Sequence, residues 1–408
     1  MHNRFFVVFA GFFALGFVLR PNPAWALVFY LGVLPLLIAR IRRCGFGPVS
    51  PGVWAALGVC VWFGLSLLWG IDQTAGRIQK YAIAAVANAA LVAAAYTFFR
   101  DAAAADLERF DRWIAAAAAV NVLLALGFYL AAVDPRYFHS LDRFTTRLEG
   151  WAETRHAILG ADVLITAFVF AARAWSHAET GRRRAMAGAC LVLVPVFVLL
   201  SGSRGPALAL AAAAACLFLW QRRTLWILAA VGVALAAAYA FVPAFTGFVD
   251  GNLARKPYRF EIWAATLDYV RNRPWIGHGV ASQQVFAEQF TFPHSMYMSA
   301  LFYGGAIGLA LLLACLGYAG WRAVRLEGPV RAQALALLAV PVVAGLTDIG
   351  QPIKAPSEEW YIVWLPIVAV LGLAARARIA GKAKGAALPP GSPRPASAAA
   401  DQSARRPK

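Results

Sequence analysis

LLSGSRGPALAL, residues 199–210, joins two apolar runs, 185–200 and 206–220, through a short polar turn carrying one arginine, Arg204. Runs of this kind recur from residue 5 almost to residue 375 of the 408-residue chain, which is 61% hydrophobic and 14% charged. That composition is that of an integral membrane protein, and Arg204 stands at the edge of a span, where a charge is costly and needs a reason.

Twelve apolar segments can be counted outward from this turn: 5–19, 24–39, 53–69, 81–99, 113–133, 157–172, 185–200, 206–220, 225–241, 295–321, 332–347 and 360–375. Several are short for a hydrocarbon core of about 30 Å, so the helices are expected to extend into their flanks. The expected fold is an all-α polytopic membrane protein of about 12 transmembrane helices, with a long external loop containing short helices. Residues 1–378 form the membrane domain. Residues 379–408, rich in Ala, Pro, Ser and basic side chains, lack the apolar content to fold and form a disordered basic tail. The first run, between Arg4 and Ala24-Trp25-Ala26, imitates a cleavable leader, but Ala24 also opens the next apolar run, and the segment is read as a retained span.

The net charge of +18 is unevenly placed. Alternate connections, RIRR (40–43), 100–112, 173–184, 221–223, 322–331 and both termini, hold 24 of the 38 Lys and Arg; the other set holds 14. By the positive-inside rule the first set and both ends are cytoplasmic, so Arg204 faces outward. Two long outer loops, 134–156 and 242–294, carry nine of those 14 cations, which argues for an anionic partner there. The alternative is that long loops escape the charge bias and the arginines only form a solvated face. Nucleic acid is excluded as partner because no basic helix, zinc spacing or aromatic-plus-basic motif accompanies the charge. The five cysteines are scattered without a CxxC pair, and the histidines show no metal-ligand spacing.

Three constellations can carry chemistry. Ser203, Arg204 and Gly205 precede Pro206 at the outer start of a helix, whose unpaired N–H groups and positive dipole end suit a phosphate; the alternative for Arg204 is snorkelling to outer headgroups. The segment RFEIWAATLDYVRNRPWIGHGV (259–280) places Phe260, Trp263, Leu267 and Val270 at helical spacing. It is expected to lie as an amphipathic helix over the outer face, to carry Arg259 at its start and to end at Pro274 and the Gly277/Gly279 turn. In FPHSMYMSALFYGGAIG (292–308), His294 opens a span, and its near-neutral titration suits proton abstraction from a hydroxyl; taken alone it is as readily an ordinary hydrogen-bonding loop residue.

The order of these motifs, an SRG turn, R-x-x-x-W (Arg259, Trp263), P-x-x-G-x-G (Pro274, Gly277, Gly279) and H-S-x-Y (His294 to Tyr297), resembles the O-antigen ligase family. R-x-x-G at Arg147 and Gly150 also resembles a family motif. Ser295 and His156 stand where the family more often has Asn. The resemblance implies a glycosyltransferase that moves O-antigen polysaccharide from undecaprenyl diphosphate to lipid A–core; the superfamily also contains O-antigen polymerases, the second reading. A lipid-linked glycan flippase or transporter is the third, disfavoured because Asp162 is the one clear acidic residue within a span.

Outside the cytoplasmic membrane no nucleotide sugar is at hand, so the donor must already be activated on a lipid. Arg204 and Arg259 are assigned to the diphosphate leaving group and His294 to the acceptor hydroxyl, which gives direct, inverting displacement without metal or other cofactor. Arg147, Arg155, Ser203, Gly205, Trp263, Tyr297 and Asp348 are expected to bind substrate, Asp348 by orienting His294 or the acceptor hydroxyl.

Overall fold

The computed structural model describes residues 2–19, 22–131, 147–218, 222–243, 246–247, 250–251, 258–287, 289–354 and 356–386. The described chain is helical throughout, its one extended feature being an isolated bridge between Phe286 and Phe290. Helices α1 (His2–Leu15), α2 (Asn22–Val28) and α3 (Leu34–Cys44) come first, the last two joined into one rod by a π-helical turn, Phe29–Val33. Then follow α4 (Pro51–Leu65), α5 (Ala75–Asp101), α6 (Ala104–Leu130), α7 (Leu159–Ser176), α8 (Gly181–Leu200), α9 (Arg204–Phe218) and α10 (Arg222–Phe241). The rest are α11 (Arg259–Asn272), α12 (Met296–Val324), α13 (Gly328–Thr347) and, after a π turn at Trp360–Trp364, α14 (Leu365–Ala386).

Each of the twelve apolar segments coincides with one rod. Nine helical stretches among the described residues are long and apolar enough to cross a membrane, while Arg4–Leu15, Arg204–Phe218 and Ala229–Phe241 are shorter apolar helices. At about 1.5 Å per residue these three reach less than a full bilayer core. The tail expectation falls mostly on 387–408, outside the described residues; α14 runs past position 379 to Ala386. Residues 132–146 of the first long outer loop are likewise outside them, as are 252–257 of the second.

Lipid offers apolar side chains no hydrophobic reason to leave it, so helix association rests on close packing and internal hydrogen bonds. Around α1, Phe9 stacks on Phe98 at 4.7 Å and Phe12 on Trp25 at 4.7 Å, and Tyr361 donates its hydroxyl to the Phe13 carbonyl. Small residues bring α9 against α13: a Cβ on Gly205 would stand 2.4 Å from Thr347 Oγ1. Trp62 of α4 donates Nε1 to the Gly304 carbonyl of α12 at 2.8 Å, over a Gly304–Gly308 surface that lies against Phe63.

The two sets of connections separate in space. Arg40 pairs with Asp101 at 2.7 Å, Arg173 with Asp111 at 3.0 Å, and Arg376 donates to the Ala102 carbonyl, so the ends of α3, α5, α6, α7 and α14 share one face. The Ser201–Ser203 turn, the start of α12 and the end of α13 lie at the other.

Helix α12 is broken at Gly305 (φ 66°), and the P-x-x-G-x-G loop fills the break. Ala306 and Ile307 donate to the carbonyls of Pro274 and Trp275 at 2.7 and 3.2 Å, while His278 and Gly279 donate to those of Phe302 and Tyr303 at 2.8 and 2.9 Å. Irregular backbone within a span persists where protein groups satisfy it, and here one loop supplies both donors and acceptors. Gly277 (φ 68°) and Gly279 (φ 85°) have no room for a side chain: a Cβ would lie 2.5 Å from Gly305 N and 2.5 Å from Gly70 Cα respectively.

Candidate active site

Five chain segments converge on a cavity of about 350 Å³ at the face reached by the Ser201–Ser203 turn. Its walls include Arg147 and His156 from the approach to α7, Ser203, Arg204 and Gly205 from the head of α9, Arg259 from the head of α11, His294 before α12 and Asp348 after α13. All stand at or beyond helix ends, where an all-helical membrane protein can present polar groups without burying them in hydrocarbon.

His294 donates through Nδ1 to Asp348 Oδ1 at 2.8 Å, the carboxylate fixing the tautomer that leaves Nε2 with its lone pair. Phe292 stacks on the imidazole at 3.8 Å and Phe290 meets its edge at 5.4 Å, so the ring is held on two sides. The residue adopts a left-handed backbone (φ 50°), a conformation that costs a non-glycine residue roughly 1–2 kcal/mol and that the Phe292 and Asp348 contacts sustain. Ser295 does not face the cavity. Its buried hydroxyl donates to the Gly345 carbonyl at 3.1 Å and ties the head of α12 to α13, so the departure from the family's Asn leaves His294 in place.

Asp348 is the only carboxylate lining the cavity among the described residues, and it faces the Arg259 guanidinium as well as His294. Arg259 Nη2 lies 3.8 Å from Asp348 Oδ2, a Coulomb contact rather than a hydrogen bond, so the guanidinium keeps donors for an incoming anion. Arg147 uses Nε on the Ser201 carbonyl at 2.7 Å and Nη2 on Ser203 Oγ at 2.5 Å. It braces the turn that aims Arg204. Gly202 supplies the turn's left-handed residue (φ 59°), and Arg204 then stands exposed on the cavity wall at the first position of α9.

His156 was not assigned to the site from sequence. Its Nδ1 accepts from the backbone N–H of Ile158 and Leu159 at 3.3 and 3.2 Å, capping α7 as an Asn would. Burial holds this imidazole below its ordinary titration range despite the opposing charge of Asp348, so at neutral pH it is an uncharged wall residue. Tyr258, Ile262 and Phe290 also line the cavity, and only the aromatic run before His294 hinted at any of them.

Three expected substrate contacts lie elsewhere. Tyr297 donates its hydroxyl to the Val342 carbonyl at 3.1 Å, between α12 and α13. Trp263 is packed against the core with Nε1 buried, and Arg155 is exposed beside the buried Glu153, neither among the cavity-lining residues. The amphipathic helix forms over Arg259–Asn272, but its buried line is Ile262, Thr266 and Val270, while Phe260 and Leu267 are exposed. Those two face away from the protein, the side on which an interfacial helix meets lipid.

Near the site a second polar group is assembled from the segments flanking α7 and α14. Lys354 pairs with Glu359 at 3.1 Å and Glu358 at 3.5 Å, and Ser357 donates to Glu359 at 2.6 Å. The carboxylates that could serve a double displacement from this segment are thus engaged with a lysine. Glu153, buried without a hydrogen-bond partner, has its carboxyl pushed up to about 8 by burial, with the charge of Glu358 adding to it.

The protein is thus an integral membrane protein with a cavity at one face that brings a histidine–aspartate pair together with three arginines, Arg147, Arg204 and Arg259. Residues 189–313 match the family model described as O-Antigen ligase, and 272 residues are 28% identical to an O-antigen ligase of Pseudomonas aeruginosa. That alignment spans 64% of this chain and 66% of the relative's length. The likeness to the O-antigen ligase family read from motif order is therefore met by both comparisons. The matched stretch contains Arg204, Arg259 and His294; Arg147 and Asp348 lie outside it and join the site only through folding.

Proposed function

We propose that the protein is an O-antigen ligase: it transfers a glycan from undecaprenyl diphosphate to a sugar hydroxyl of lipid A–core on the periplasmic face of the inner membrane, by metal-independent inverting displacement. The observation that carries this reading is that the His294–Asp348 pair and the guanidiniums of Arg204 and Arg259 line one cavity together, Arg259 within 3.8 Å of Asp348. As the anomeric C–O bond to diphosphate breaks, negative charge grows on the leaving oxygens, and fixed guanidiniums stabilise it more in the transition state than in the ground state. His294 Nε2 takes the proton of the attacking hydroxyl, and Asp348 stabilises the resulting imidazolium. The family match and the ligase relative support the ligase part of this reading.

The test is one panel of purified variants with a lipid-linked donor and a lipid A–core acceptor. Arg204→Lys and Arg259→Lys keep the charge but lose the planar fork that grips phosphate oxygens in pairs, and each should lower turnover about ten- to a hundredfold. Arg271→Lys, on an exposed residue paired with Asp268 at 2.8 Å, should leave it unchanged, as should chelation of divalent ions. His294→Gln should bind donor yet transfer nothing. Substantial turnover by His294→Gln would remove the general base from the mechanism, and near-normal rates in both lysine variants would remove the diphosphate role.

A further inference from the structure

At the face opposite His294, a second cavity of about 240 Å³ lies among the segment before α4, the end of α12 and α14, lined by Ser50, Tyr96, Arg322, Arg378 and flanking apolar residues including Val49 and Ile379. Arg322 is 8% exposed. Among the described residues its guanidinium has no carboxylate partner and makes one hydrogen bond, from Nη2 to the Ala374 carbonyl at 3.2 Å. Asp101, which pairs with Arg40 and Arg100, does not line this cavity. A cation this far from water calls for a counter-charge, and the protein around this one supplies none.

A second observation points the same way. Ser50 immediately precedes α4, where a serine ordinarily accepts a helix N–H, yet its hydroxyl makes no such bond and is buried without any partner. The positive end of a 15-residue helix therefore opens beside two guanidiniums and an unused hydroxyl. The wall itself is rigid: Arg100 donates Nη1 to the carbonyls of Phe46 and Pro48 at 2.7 and 3.1 Å, and Tyr96 donates to Pro48 at 3.0 Å. No carboxylate lines the cavity among the described residues.

We propose that this cavity binds the phosphate of an anionic phospholipid headgroup. The polar donors face the phosphate, the apolar rim at Val49 and Ile379 meets the start of the acyl chains, and the ends of membrane-length helices place the site at headgroup level. By the basic asymmetry of the connections this is the cytoplasmic leaflet. Free inorganic phosphate shares the chemistry but makes no use of the apolar rim.

The experiment is thermal unfolding and native mass spectrometry of the full-length protein in neutral detergent, titrated in parallel with phosphatidylglycerol, phosphatidylcholine and inorganic phosphate. Phosphatidylglycerol should stay bound and raise Tm where phosphatidylcholine does not. Arg322→Gln and Arg378→Gln should each weaken phosphatidylglycerol binding by about tenfold, the loss expected for one charge-assisted contact. Arg378 is exposed and its replacement leaves the core untouched, so it carries the comparison if Arg322→Gln fails to fold. Equal stabilisation by phosphatidylcholine, or unchanged affinity in the Arg378 variant, would overturn the site. Equal stabilisation by inorganic phosphate would overturn the lipid as its source.

Discussion

At the scale of single residues, the site separates groups that hold charge from groups that avoid it. Asp348, the cavity's one acid among the described residues, is matched by Arg259, whereas the Glu153 carboxyl has neither a hydrogen bond nor an ion pair among them. Its carboxyl is 1% exposed and is pushed from the ordinary 4.5 up to about 8, so the folded protein holds a proton that the unfolded chain releases. The folded state binds more protons between those two values, and stability therefore falls as pH rises from about 4.5 through about 8. Glu153→Gln keeps the shape without the titration. It should unfold at a higher temperature than the parent above pH 8 and at nearly the same temperature at pH 4.5, and scanning both proteins in the same detergent across that range is the check. A parallel decline in the two would place the pH dependence in another group.

At the scale of elements, the broken helix α12 and the loop in its gap decide where the head of α11 can sit. A Cβ on Gly277 would lie 2.5 Å from Gly305 N and 2.6 Å from the Tyr303 carbonyl carbon, both backbone atoms with no freedom to move aside, at a residue whose φ is already positive. Gly277→Ala should lower the yield of folded protein and its Tm by several degrees, whereas Gly317→Ala, within α12 and with open space around it, should be neutral or slightly stabilising. Equal thermal stability of the two variants would mean the loop contributes little. The spans and the head of α11 were legible in the sequence, because apolar length and helical spacing are local properties. The break at Gly305 was not, since two adjacent glycines in an apolar run do not say which loop will enter. That Tyr297 and Trp263 stand outside the cavity was hidden for a related reason: a helix's period shows which residues share a face, and only the neighbours show what that face meets. The same limit hid the true buried line of α11, Ile262, Thr266 and Val270.

Over the whole molecule, the polar connections divide into two faces, one holding the Arg40–Asp101 and Arg173–Asp111 pairs and the other the cationic cavity. From the basic asymmetry we propose that the first face is the cytoplasmic one. Alkaline phosphatase fused after residue 147 or residue 270 should be active and after residue 182 inactive; the opposite pattern would turn the molecule over and move the cavity to the cytoplasm. Arg204, Arg259 and His294 were readable because each sits in a local motif. The partnership of His294 with Asp348 spans 54 residues and is set by the packing of α12 on α13, which no local pattern encodes.

The loop that fills the break in α12 also orders events during synthesis. Residues 274–279 leave the ribosome before Phe302, Tyr303 and Ala306 exist, so the backbone donors of His278 and Gly279 have no resting place until the next span has been threaded into the membrane. The contacts of this loop, which follows the helix carrying Arg259, are therefore completed only after that interval, and the His294–Asp348 pair only when α13 delivers Asp348. A nascent chain halted before residue 348 would carry every arginine of the cavity and lack the one carboxylate that, among the described residues, lines it beside His294.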